Sequence, residues 1–100
     1  LVYYWKMRID GFVWPPNIVE KLWVKHGVDQ EETEEVFFNN PKFWFVEKGL
    51  REDEDVYAAT GQSDAGRYLI VFFIHKTDKT ALILSARDMD KKERRRHAKK

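Results

Sequence analysis

The side chains with the most chemical reach in this sequence are two arginines, Arg67 and Arg87, and two of its three histidines, His26 and His97. Each arginine borders an apolar run. Arg67 precedes Tyr68 to Ile74, and Arg87 closes the run that begins at Ala81. A planar guanidinium meets phosphate oxygens two at a time, so arginines at the rim of a core point to an anionic ligand. The basic residues Lys91, Lys92, Arg94, Arg95 and Arg96 follow and add sequence-independent attraction for a phosphate backbone. His26 and His97 titrate near neutrality and can move protons, and Lys25 stands beside His26 as a further cation. Plain structural readings stand next to these. Lys25 and His26 can complement the end of a helix ahead of Gly27, and either arginine can pair with a carboxylate such as Asp64 or Asp88. His97 lies near the chain end, where a helix can fray. His75 alternates within an apolar strand and reads as a satisfied sheet histidine. The histidines lack zinc-site spacing and no glycine-rich loop precedes a helix, so neither a metal nor a cofactor is expected.

What must position these groups is a single domain of 100 residues, 43% apolar and 15% aromatic. That density of aromatic and branched residues excludes disorder over most of the chain. There are no cysteines, which removes disulfides and thiolate sites and suits a reducing cytoplasm. The longest apolar run is far too short to span a bilayer, and the opening residues lack the features of a signal peptide. Met7 is a candidate initiator, which would make residues 1–6 an upstream extension. The net charge of +1 conceals an asymmetry: ten acids against three bases from Asp29 to Asp55, then eight Lys/Arg against three acids from Arg87 onward. Two electrostatic faces follow, although each block also reads as a solvated helix surface.

In chain order, residues 8–14 predict a short strand, stopped by Pro15-Pro16, which suits a helix start. Ile18, Val19, Leu22 and Trp23 recur at helical spacing up to Gly27, a helix-ending residue. Asp29 with Glu32 forms a capping box for a second helix, thinly apolar at Val36 and Phe37 and ended by Asn39-Asn40-Pro41. Strands are predicted over 42–48, 56–60, 67–76 and 80–87, joined by a charged loop, a turn carrying Gly61 and Gly66, and a turn at Asp78. The third of these is apolar on both faces, the mark of a central strand. Asp90 caps a last, basic helix over 90–100. The order β-α-α-β-β-β-β-α gives an α+β fold with an antiparallel sheet of four to five strands, two N-terminal helices and a C-terminal helix.

Lys25-His26-Gly27-Val28, a helix bearing Val36-Phe37 and closing at Asn40-Pro41, then Gly61, Gly66-Arg67, Ser85-Ala86-Arg87 and Glu93-Arg94 occur here in one order and spacing. In this pattern, over residues 9–97, the chain resembles the BrnT-type toxins. The resemblance implies a RelE-like fold and a metal-independent endoribonuclease of a bacterial type II toxin–antitoxin pair. It also implies an antitoxin partner of the ribbon-helix-helix type, with operator DNA reached only through that antitoxin. The pattern departs at Leu22, Val56 and Leu82, where the family often carries polar residues, and at His97, where it usually presents a tyrosine.

Metal-free RNA cleavage needs a base for the 2′-hydroxyl, an acid for the leaving 5′-oxygen and cations for the charged phosphorane. Under the resemblance Arg67 and Arg87 hold the phosphate at meeting strand ends, and Lys25, His26 or His97 moves protons. Trp44 and Tyr57 either stack on bases or fill the core. A toxin fold that has lost catalysis and acts as a binding module is the rival reading, motivated by the apolar departures. A standalone RNA-binding domain is a third.

Overall fold

The strand running from Tyr68 to His75 carries apolar side chains on both faces, and the rest of the chain is layered around it. The computed structural model describes residues 3–4 and 7–99. In chain order the elements are β1 (Tyr3–Tyr4), β2 (Gly11–Val13), α1 (Ile18–His26), α2 (Gln30–Phe38), β3 (Lys42–Glu47), β4 (Val56–Gln62), β5 (Tyr68–His75), β6 (Thr80–Asp88) and α3 (Lys91–Ala98). They form one sheet in the order β1-β3-β4-β5-β6-β2. The fold is α+β, with the expected succession of elements. The four long strands are joined antiparallel, whereas β2 adds to β6 in parallel, so the sheet is mixed rather than wholly antiparallel. The parallel addition follows from the connection: the chain leaves β2 into two helices before it returns to the sheet, so no hairpin forces an antiparallel neighbour.

The caps act as the sequence predicts. Asp29 and Asp90 each accept the backbone N–H three residues on, and Glu32 and Glu93 return the bond, making two complete capping boxes. Gly27 ends α1 at φ 62°, a left-handed conformation, while its N–H bonds to the Trp23 carbonyl at 2.9 Å. Val28, fully buried just beyond, seats this end of α1 in the core.

The main core lies on one face of the sheet, where Leu22, Val28, Val36, Phe43, Leu69, Val71, Phe73 and Ile83 pack together under α1 and α2. A smaller cluster of Trp44, Ala58, Ile70 and Met89 occupies the opposite face, next to α3. Two expectations are corrected. Val19 and Trp23 do not join the core: α1 sits at the edge of the sheet and buries only Leu22, leaving Trp23 60% exposed. Gly61 is not a turn residue but a strand position of β4 opposite Leu69, where an added Cβ would lie 3.2 Å from a Val36 methyl. Its smallness lets α2 approach the sheet; the turn is made by Gly66, at φ 89°.

Candidate active site

Register sorts the functional side chains into two groups, because neighbours across a sheet share a face and successive residues along a strand alternate. On the α3 face, Lys42, Thr60, Ile70 and Arg87 are register partners across β3, β4, β5 and β6, and Trp44, Ala58, Phe72 and Ser85 form the next row. Above these rows α3 crosses the strands from β6 towards β3. Arg94 lies over the Tyr68 ring at 4.2 Å, Arg96 over Trp44 at 5.2 Å and Arg87 over Phe72 at 5.6 Å. Each pair sets a cation against the negative face of a ring.

His97 is the titratable centre of this face. Its Nδ1 lies 2.7 Å from the Thr60 hydroxyl, which also accepts the Trp44 indole N–H at 2.9 Å. The Lys42 ammonium donates to the carbonyls of His97 and Lys99, closing the C-terminal end of α3. Burial, helped by the Lys42 charge, lowers the His97 pKa from its ordinary value, so the imidazole is neutral at pH 7. The Thr60 hydroxyl fits either neutral tautomer. It can donate to Nδ1, or it can accept from Nδ1–H and turn its own hydrogen towards the Lys42 carbonyl at 3.5 Å. The second arrangement leaves Nε2 with a lone pair, the form a general base requires.

Arg87 is anchored but not exhausted. Its guanidinium donates to both Glu93 oxygens, at 2.8 and 2.9 Å, and to the Asp88 carbonyl at 3.1 Å. The Nε hydrogen and one Nη2 hydrogen have no partner among the described residues. Glu93, held below the usual carboxylate range chiefly by Arg87, also closes the α3 capping box, so one carboxylate ties the helix start to β6.

Arg67 lies on the opposite face, towards α1 and α2. Its five N–H groups reach Asp88 at 2.7 and 3.0 Å, the carbonyls of Gly27 at 2.7 Å and His26 at 3.0 Å, and Glu32 at 3.4 Å. The guanidinium therefore holds the end of α1, the start of α2 and the end of β6 together. The strand ends that carry the two arginines do meet, with Leu69 opposite Asp88. The arginines nonetheless flank Asp88 from opposite faces, one bonded to its carboxylate and the other to its carbonyl. Lys25 and His26 belong with Arg67. Lys25 is exposed, and His26 offers Arg67 its backbone carbonyl. Lys91, Lys92, Arg94 and Arg95 are exposed on α3, with Arg96 half-buried against Trp44.

The aromatic and histidine alternatives resolve simply. Trp44 is 8% exposed and Tyr57 packs edge-on against Phe45, so both are core residues. His75 is satisfied at the Arg8 carbonyl, 2.7 Å from its Nε2. Reasoning from sequence missed Lys42, Thr60 and Tyr68, the residues that surround His97. The available signal was parity: with the β3–β4 hairpin in register, Lys42, Trp44 and Thr60 alternate onto one face, and a strand tryptophan needs a partner for its N–H.

A neutral histidine, a row of cations and a guanidinium with donors in reserve suit chemistry on a phosphodiester. A comparison with protein families matches residues 14–93 to the BrnT ribonuclease toxin of type II toxin–antitoxin systems. This chain belongs to the BrnT family. The match covers four fifths of the chain, including Lys25, His26, Arg67 and Arg87, and ends before Arg94 to His97. A search of curated proteins found no match. BrnT membership implies a ribonuclease toxin with an RNA target and an antitoxin as partner. No helix among the described residues is long and apolar enough to cross a membrane.

Proposed function

We propose that this BrnT-family chain is a metal-independent endoribonuclease whose reacting groups lie on the α3 face, and that a cognate antitoxin silences it. The observation that carries this reading is His97, held neutral against Thr60 among Lys42, Arg94 and Arg96. In the proposed reaction His97 takes the 2′-hydroxyl proton. The oxygen then attacks phosphorus and the P–O5′ bond breaks. The 5′-oxygen takes a proton from solvent while His97 returns its own to solvent, giving a 2′,3′-cyclic phosphate and a 5′-hydroxyl. Arg87 holds the phosphate through its two spare N–H groups, and the fork geometry matches the charge that develops on the phosphorane oxygens. Lys91, Lys92, Arg94, Arg95 and Arg96 attract the RNA backbone. Arg67 acts as a positioning residue, and Lys25 and His26 lie on the face it organises, where they contact flanking phosphates.

The partner is an antitoxin of the ribbon-helix-helix type, through which alone the complex reaches operator DNA. Purified protein incubated with structured RNA in EDTA tests the reaction. Cleavage is expected in EDTA, with the activity lost in Arg87→Ala and reduced at least tenfold in His97→Gln, in line with general acid–base contributions of about 100-fold or more. No cleavage in EDTA but full cleavage with magnesium would overturn the metal-free mechanism.

A second reading, a toxin fold that binds without cutting, draws on one observation: Val56 and Leu82, two of the apolar departures from the family pattern, share a row of the sheet with Ile74. Intact RNA at any metal concentration, with growth unaffected by expression without an antitoxin, supports that reading instead.

A further inference from the structure

We infer that the part of the sheet left open beside α3 is a docking groove for one amphipathic, acidic helix of the antitoxin. The inference rests on the family's implication of an antitoxin partner and specifies where and how that partner binds. Val56, Ile74, Leu82 and Val13 are register partners in a row across β4, β5, β6 and β2. They point to the α3 face, because Phe12 beside Val13 packs on the other side. None of the four belongs to either core cluster or packs against one, and Val13 is 43% exposed. An antiparallel sheet with one face in water ordinarily alternates apolar and polar residues. Here the outward positions from β4 to β2 are aliphatic, with Glu47 as the register partner of Val56 on β3; Val56, Ile74 and Leu82 are half-buried and Val13 is exposed.

The dimensions fit a helix. Val56 stands four residues along β4 from Thr60, on which α3 rests through His97, so the open row runs about 13 Å from the row beneath α3. A second helix laid beside α3 at the usual spacing of about 8–10 Å would cover the open row and the edge of the next one. Four strands span about 14 Å, the length of roughly ten helical residues.

Charge then selects the occupant. The border of the groove nearest α3 carries Arg87 over Phe72 and Arg96 over Trp44, both rings lying in the row that separates α3 from the open one. A helix with aliphatic residues on one face and carboxylates on the flank towards α3 satisfies both surfaces. A second copy of this chain does not: two-fold pairing of the same patch would set α3 against α3, cation against cation. Nor does RNA, because the aliphatic row offers neither a stacking ring nor a donor.

The test is titration calorimetry of the toxin against the antitoxin produced from the neighbouring reading frame, with RNA cleavage by free toxin measured in parallel. Leu82→Glu is expected to weaken antitoxin binding roughly 30-fold or more, the loss typical of a buried interface anchor. Leu82→Lys is expected to weaken it less, because an acidic partner tolerates the cation. Cleavage by the free toxin should be unchanged in both. Val13→Glu, at an exposed position with little bearing on folding, carries the same test at the rim if Leu82→Glu lowers the melting temperature. Antitoxin affinity within about threefold of the parent in both glutamate variants would overturn the proposal. So would a loss of RNA cleavage in Leu82→Glu with antitoxin binding intact, which would assign the row to RNA. A parent protein that fails to cut RNA while the glutamate variants still lose the antitoxin would remove the proposed reaction and leave the groove standing.

Discussion

Replacing Thr60 with valine asks whether one buried hydroxyl holds α3 on the sheet. Thr60 is 1% exposed, and its Oγ1 accepts the Trp44 indole N–H at 2.9 Å and meets His97 Nδ1 at 2.7 Å. Valine keeps the shape and removes the polar atom. The Trp44 indole N–H, on a side chain only 8% exposed, then loses its Thr60 acceptor. Removing the acceptor of a buried donor costs about 1–3 kcal/mol, and the half-buried His97 ring loses its Thr60 partner as well, so we expect a loss near 2 kcal/mol. For a domain of this length about 1 kcal/mol moves the melting temperature by roughly 4–8 °C, giving a fall of about 8–16 °C in Thr60→Val. Thermal unfolding followed by circular dichroism measures it, and Trp44→Phe in the Thr60→Val background provides the control. Once the indole N–H is gone, the valine should cost about 1 kcal/mol less, and the two substitutions should be non-additive by that amount. A Thr60→Val protein melting within about 2 °C of the parent would refute the argument, as would strict additivity.

Two further outcomes follow from the same geometry. Arg67→Met leaves two carboxylates and two helix-end carbonyls without their donor. Because the Arg67 side chain is 29% exposed and Asp88 61%, solvent screens part of the loss, and a destabilisation of about 1–2 kcal/mol in denaturant midpoints is expected. An unchanged midpoint with lost RNA binding would make Arg67 a phosphate ligand instead of a clamp. The pH dependence has a definite sign. The folded His97 pKa lies below its ordinary 6.5, so between the two values the unfolded chain binds more protons. Stability is then full above about pH 6.5 and declines as pH falls through the folded value. His97→Gln should flatten that decline; an equal slope in the variant would show that another group titrates. Asp88 and Glu93, both lowered chiefly by their arginines, add a further loss in the acid range below about pH 4.5.

Much of the fold was written locally. Asp29 with Glu32 and Asp90 with Glu93 are capping boxes whose partners lie three residues apart, so neighbours in the chain settle them. Gly27 ends α1 for a reason internal to one residue, its freedom at positive φ. The doubly apolar Tyr68 to Ile74 run could only be a strand covered on both sides. The same local logic misjudged α1. Helical periodicity shows that Val19 and Trp23 share a side with Leu22, but only the edge position of the helix determines that Leu22 is buried, Ile18 packs partly against the core and Trp23 stays exposed.

The candidate site divides along the same line. By itself the sequence determined which groups are candidates for the proposed chemistry: Arg67, Arg87, His26, His97 and the basic run of α3, because charge and titration belong to residue types. Tertiary structure decided how they are used. Whether an arginine faces α1 or α3 depends on the parity of its strand and on the register with its neighbour, and neither is visible until the sheet is assembled. That parity spends every donor of Arg67 on the helix ends and on Asp88 at the end of β6, and leaves Arg87 two in reserve. It also brings Thr60 and Lys42, remote in the chain, beneath His97, so that burial and a neighbouring charge keep a terminal histidine neutral and in place.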